Sequence, residues 1–187
     1  MLLCGGTSES ISLFKINNIV KHGEKKEYMS MSKQYTGHNG NISCCGFMSN
    51  EYFVTGSVDT KIGLWQAEEQ RALTMYTGHE VGITSLDVFR MDGNIFASGS
   101  SDLTFRIWDV RMKNAAIRKF SEGDQIVSVV KFMPENVNML AVGNNNSEVR
   151  LWDLRALGPV ATLSDPEDNF ESAMSLEFSK SGRLLFI

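Results

Sequence analysis

The stretch TGHEVGITSLDVFRMDGNIFASGSSDLTFRIWDVR, Thr77 to Arg111, decides the fold of this 187-residue chain. It opens on a Gly-His pair, runs through alternating apolar and polar residues, turns on Gly-Ser with an Asp, and closes on Trp-Asp. The stretch recurs. TGHNGNISCCGFMSNEYFVTGSVDTKIGLWQ, Thr36 to Gln66, sets Gly37-His38 and Trp65 where the first has Gly78-His79 and Trp108. A weaker copy, Lys119 to Leu154, ends on Leu151-Trp152-Asp153. The three tryptophans therefore fall at a near-constant spacing of about 40 residues, the period of a repeat array. Partial copies flank them: LLCGGTSESISLF (Leu2 to Phe14) overlays Phe53 to Trp65 with Phe14 in the Trp position, and AMSLEFSKSGRLLFI (Ala173 to Ile187) overlays the first half of a repeat.

Gly-His near the start and Trp-Asp near the end of such a unit resemble a WD40 propeller blade. The expectation is an all-β WD40 β-propeller with about four of seven four-stranded blades, an incomplete ring. Residues 1–187 form one propeller region, divided into a partial repeat at 1–30, WD repeats at 31–70 and 71–113, a degenerate WD repeat at 114–157 and a partial repeat at 158–187. Both ends of the sequence fall inside a repeat, which predicts a piece of a longer propeller with unpaired strand edges prone to association. Runs of aromatic and β-branched residues broken by Gly, Asn and Asp predict strands at Asn41 to Phe47, Tyr52 to Thr55, Lys61 to Trp65 and Ala72 to Tyr76 in the first full repeat. The next two repeats predict Gly82 to Phe89, Ile95 to Ser98, Thr104 to Trp108 and Ala116 to Phe120, then Ile126 to Phe132, Met139 to Val142, Glu148 to Trp152 and Val160 to Leu163. The ends add Leu2 to Cys4, Ser10 to Phe14, Ala173 to Phe178 and Arg183 to Ile187, with Asn17 to Ser32 as a long polar connection. Helical periodicity is sustained nowhere.

Composition excludes several functions. The net charge is −4 with Lys and Arg scattered, so there is no electrostatic footprint for nucleic acid. The basic cluster Lys21 to Lys26 contains a Glu and reads as a solvated loop. Met1 to Gly6 lacks the basic and apolar regions of a secretory signal, and no apolar run is long enough to insert in a membrane. The three cysteines, Cys4, Cys44 and the adjacent Cys45, predict small buried hydrophobes in a reducing compartment rather than a disulfide framework. Neither His22 nor the Met-rich Tyr28 to Met31 supplies a metal-ligand set, and no Gly-rich phosphate loop occurs, so no cofactor and no enzymatic activity are expected.

A hydroxyl, an imidazole and a carboxylate do recur: His38, Thr55 and Asp59 with Trp65, and His79, Ser98 and Asp102 with Trp108. Such a set invites comparison with a nucleophilic triad. A single active site has no reason to repeat with a matched tryptophan, however, and in WD40 proteins the tetrad is a hydrogen-bond chain that rigidifies a blade. At the corresponding positions the degenerate repeat has Glu122, Val142 and Asn146. That substitution predicts an unpartnered Trp152 and the least stable blade, by about 1–3 kcal/mol.

The resemblance narrows further. Cys4 to Gly6 (CGG), Ile42 to Cys45 with Phe47, TGH and SL within Thr77 to Leu86, SGS and RIWDVR within Ser98 to Arg111, and FSKSGRLLF at Phe178 to Phe186 are together similar to the heterotrimeric G-protein β subunit. That resemblance implies a non-enzymatic scaffold in signal transduction, the β part of a βγ dimer that pairs with a γ subunit and binds Gα and effectors on one rim. It also implies a cytoplasmic location, at the inner face of the plasma membrane through a lipidated γ partner. The rim positions it implies are Thr7, Asn41, Gly82, Thr84, Gln125 and Asn145, where the family has Leu, an aromatic, Asp, Met, Asp and Asp in that order. The framework agrees with the family and the rim departs from it. The alternative is a β-like WD40 adaptor that assembles other protein complexes and no longer binds Gα.

Overall fold

The computed structural model describes residues 2–4, 9–16, 29–112, 116–156, 158–164 and 173–187. They form seventeen strands and, among the described residues, no helix. The first sheet holds β1 (Leu2–Cys4), β2 (Ser10–Ile16) and β3 (Met29–Thr36). The second holds β4 (Ile42–Phe47), β5 (Tyr52–Ser57), β6 (Ile62–Gln66) and β7 (Ala72–Tyr76). The third is β8 (Ile83–Val88), β9 (Ile95–Ser100), β10 (Thr104–Asp109) and β11 (Arg118–Ser121). The fourth is β12 (Val127–Phe132), β13 (Met139–Asn144), β14 (Glu148–Asp153) and β15 (Pro159–Ser164), and β16 (Glu177–Phe178) pairs with β17 (Leu185–Phe186). Every pairing is antiparallel and sequential.

Two expectations are corrected here. The polar connection expected over Asn17 to Ser32 overlaps a strand at its end, because Met29–Thr36 pairs with β2 and closes the first sheet. Its residues MSMSKQYT show no clean alternation, and β2 supplies the register from outside. The strand expected over Ala173 to Phe178 is confined to Glu177–Phe178, which pairs only with the two residues of β17.

The sheets stack face to face, with their first strands side by side. Thr84 Oγ1 donates to the Val127 carbonyl at 2.6 Å, Ser85 Oγ accepts from the Val130 amide at 3.2 Å, and Asp87 Oδ2 accepts from the Phe132 amide at 2.8 Å. Lys131 continues the line, with Nζ 3.3 Å from Asp87 and 2.9 Å from Glu177. Burial pushes the Asp87 carboxyl up against the opposing pull of Lys131. The second strand of each four-stranded sheet places a glycine where the next sheet arrives. A Cβ on Gly56 would lie 2.6 Å from Ile83 Cγ2, one on Gly143 would lie 2.7 Å from Ala173 Cβ, and one on Gly99 would meet Val127. No larger residue fits at that spacing.

The last strand of one sheet lays an aromatic on the tryptophan of the next. Tyr35 meets Trp65 at 5.9 Å between ring centroids and 70°, Tyr76 meets Trp108 at 5.5 Å and 58°, and Phe120 meets Trp152 at 5.6 Å and 65°. Such offset and edge-on pairs are favoured by the ring quadrupole. The core is therefore a series of intersheet clusters, and no sheet buries its apolar face alone. Cys44 and Cys45 stand outside any disulfide, and both are half-buried rather than buried as expected. Burial pushes the Cys44 thiol up to about 12, so it is protonated at neutral pH. Cys4 lies in β1.

Candidate functional site

The turn between the second and third strands of each four-stranded sheet builds the polar site beneath it. Thr60, Leu103 and Ser147 occupy the same turn position with φ of 72°, 68° and 60°. A non-glycine residue resists that left-handed conformation, so side chains hold it in place. Ser57 Oγ accepts from the Asp59 amide and Ser100 Oγ from the Asp102 amide, each at 3.1 Å. Asp59 Oδ1 in turn accepts from the Lys61 amide at 3.0 Å, and Asp102 Oδ1 from the Thr104 amide at 3.1 Å.

Each turn aspartate faces a buried imidazole. His38 Nδ1 lies 3.0 Å from Asp59 Oδ2 and His79 Nδ1 lies 2.8 Å from Asp102 Oδ2, so the ring proton belongs on Nδ1. Nε2 then accepts from the hydroxyl, Thr55 Oγ1 and Ser98 Oγ respectively, both at 2.8 Å. Those hydroxyl oxygens accept from the indole N–H of Trp65 and Trp108, again at 2.8 Å. His38, Thr55, Asp59 and Trp65 thus lie in one chain of contacts, and so do His79, Ser98, Asp102 and Trp108. Both hydroxyls are fully buried, and each is spent between an imidazole and an indole. A substrate has no path to them.

Thr104 is an addition that the sequence pattern did not flag, its Oγ1 donating to Asp102 Oδ1 at 2.6 Å. Burial alone would raise the Asp102 carboxyl, but hydrogen bonds from Thr104, the Glu80 amide and His79 outweigh it and hold the pKa at about 2. Burial holds the His79 ring below its ordinary range, with Asp102 pulling the other way. Both groups bind fewer protons folded than unfolded at acid pH, so stability must rise with pH. The His79 contribution is lost as pH falls below about 6.5, and that of Asp102 between about 4 and 2. Urea midpoints should therefore drop in those two windows, and the Asp102→Asn chain should show a smaller drop in the lower one, where Asp59 and Asp153, also held low, still titrate.

The fourth sheet contradicts its expectation. Trp152 is not unpartnered: its indole N–H donates to Glu122 Oε1 at 2.6 Å. Glu122 Oε2 accepts from Arg150 Nη1 at 3.0 Å, and Glu148 Oε2 accepts from Arg150 Nη2 at 2.7 Å. Asn144 Oδ1 caps the turn, accepting from the Asn146 and Glu148 amides at 2.9 and 3.2 Å. A glutamate reaches the indole directly, so it replaces imidazole and hydroxyl together and leaves Val142 free to be apolar. Burial raises the Glu122 carboxyl, opposed by Trp152 and Arg150. The signal in the sequence was Arg150 facing two acids, Glu122 and Glu148.

The rim positions lie at the end of the sheets where those turns sit. Asn41, Gly82 and Gln125 precede β4, β8 and β12, Asn145 sits in the turn after β13, and Thr84 lies in a bulge of β8. Thr7 lies outside the described residues. Asn41 and Asn145 are exposed, and the other three are half-buried. Most of these groups close on their own backbone. The Asn145 side-chain oxygen accepts from the Ile126 amide at 2.8 Å, the Gly82 carbonyl accepts from the Ser101 amide at 3.1 Å, and the Thr84 hydroxyl is bound to Val127 as above. A Cβ on Gly82 would meet Val58 Cα at 3.1 Å. Exposed Val58 and Val81 stand beside it.

Residues 29–66 and 70–109 match the family model described as WD domain, G-beta repeat. Those two spans are WD40 repeats. Each matched span starts at or just before the strand that closes one sheet and ends with the tryptophan strand of the next, so a WD40 repeat straddles two sheets. The fourth sheet, with glutamate in place of the histidine chain, lies beyond both spans. Among curated relatives, the chain is 31% identical over 192 residues to the guanine nucleotide-binding protein subunit beta of Arabidopsis thaliana and 29% identical over 194 residues to that of Zea mays. It is 29% identical over 193 residues to guanine nucleotide-binding protein subunit beta-1 of Nicotiana tabacum. Each alignment covers 98% of this chain and 50% of the relative, so the chain spans about half the length of the curated relatives it matches. Those relatives are named as G-protein β subunits rather than enzymes. Among the described residues there is no group of acidic, His and Cys side chains that could hold a metal ion, and no helix long and apolar enough to cross a membrane.

Proposed function

We propose that this chain is a non-enzymatic protein-binding scaffold of the G-protein β type, contributing blades to a βγ dimer in signal transduction. Partners of γ and α type are drawn from the named relatives, and a peripheral site at the inner membrane face would come from the γ partner's lipid. The observation that carries this reading is the similarity to β subunits over 98% of the chain. Supporting it, the WD40 hydroxyls are consumed inside the sheets, which leaves the sheet ends as the surface open to partners.

A second reading, an adaptor that has lost Gα, is favoured by the state of the rim. No acid stands at Gly82, Gln125 or Asn145, so the charge-assisted contacts that set specificity and association rate at such rims are missing. Titration of GDP-loaded Gα onto the protein with its γ partner, followed calorimetrically, separates the two. With three charged contacts absent, the dissociation constant is expected at micromolar or weaker. Nanomolar binding would favour the signalling reading and remove the adaptor. Failure to associate with any γ subunit would count against the β-type reading itself.

A further inference from the structure

Arg106 in β10 and Arg150 in β14 stand at the same place in successive sheets, opposite Ser98 and Val142 in the neighbouring strands. Arg150 is answered by two carboxylates, Glu122 and Glu148. In the third sheet those two positions hold His79 and Thr104, both neutral. Arg106 consequently has no hydrogen-bond or ion-pair partner among the described residues, and its Nε is buried without an acceptor. An unanswered buried donor of a charged group is costly and demands an explanation.

A second cation lies beside it. Lys119 in β11 is the cross-strand partner of Arg106, which puts both side chains on one face about 5 Å apart at Cβ. Lys119 is exposed and also lacks an ion-pair partner among the described residues. The Arg106 guanidinium is packed over the Gly-His loop, where a Cβ on Gly78 would lie 2.5 Å from Nη1, and both cations act electrostatically on the His79 ring. The neighbouring acid, Asp102, has its oxygens occupied by His79, the Glu80 amide and Thr104.

We propose that Arg106 and Lys119 form a binding site for a phosphate group, free or carried on a phosphorylated side chain of a partner protein. Phosphate fits better than a single carboxylate for two reasons. Two adjacent cations call for about two negative charges, which a phosphate monoester carries near neutral pH. A fork of guanidinium donors with a lysine point charge also matches the oxygens of a tetrahedral anion. In the fourth sheet the same arginine position needs two separate carboxylates to be satisfied.

The test is NMR of the arginine side chains, reading the Arg106 Nε–H resonance of the whole chain during titration with inorganic phosphate, a phosphoserine peptide and the matching glutamate peptide. Saturable movement of that resonance with phosphate, or with the phosphopeptide, is expected, and Lys119→Gln should weaken it by about tenfold. Because Lys119 is exposed, that variant leaves the fold intact. A stronger response to the phosphopeptide identifies a partner-borne group, and a response to inorganic phosphate alone identifies a free anion. No movement with either, movement equal in the Lys119→Gln chain, or a response to the glutamate peptide alone overturns the proposal.

Discussion

Glu122→Ala is expected to destabilise the protein by about 3 kcal/mol or more, the cost of removing one partner from a buried ion pair. Its side chain is wholly buried and serves two donors, the Trp152 indole and Arg150 Nη1. Removing it leaves an indole N–H with no acceptor and a guanidinium with Glu148 as its one carboxylate, beside the residue 122 carbonyl at 3.5 Å. Glu122→Gln keeps an acceptor and loses only the charge, so about half that effect is expected. Urea unfolding of the two variants checks both values. The expectation reverses what residue types alone imply, since the sheet without a histidine chain is locked by an acid instead. A loss below about 1 kcal/mol would place Glu122 among ordinary surface residues.

Trp108→Ala should cost about 4 kcal/mol, within the range for deleting a large buried aromatic. Trp108 is 1% exposed, stacks on Phe96 at 6.0 Å and 9°, and receives Tyr76 from the preceding sheet. Its loss opens a cavity between two sheets and also leaves Ser98 with one neighbour fewer. Trp108→Phe retains most of the stacking and should cost about 1–2 kcal/mol, mainly through the lost indole donor. Equilibrium unfolding in urea again measures both. Equal losses for the two variants would assign the effect to the hydrogen bond rather than to packing.

The strands of the two best repeats were legible because alternation, Gly turns and the Gly-His and Trp-Asp punctuation all agree there. Ala72–Tyr76 falls where the pattern predicts it, and the other strands there differ by one or two residues. Met29–Thr36 was hidden because its residues have little strand preference of their own and its register comes from β2. The histidine chains were legible as spaced residue types repeated with a tryptophan. Glu122 was not, because matching position to position asks which residue replaces histidine. The indole asks only for a buried oxygen at hydrogen-bond distance. Arg106 was silent for the opposite reason, since an arginine in a strand looks solvated until its neighbours prove to be neutral.

The central structural claim is that every complete sheet locks its own tryptophan, by histidine and hydroxyl twice and by glutamate once. Solvent exchange of the three indole N–H protons, followed by NMR, tests it most directly. Trp65, Trp108 and Trp152 should all exchange far more slowly than free indole, and Glu122→Ala should release Trp152 alone. A Trp152 proton that already exchanges at the free-indole rate in the unsubstituted chain would contradict the account.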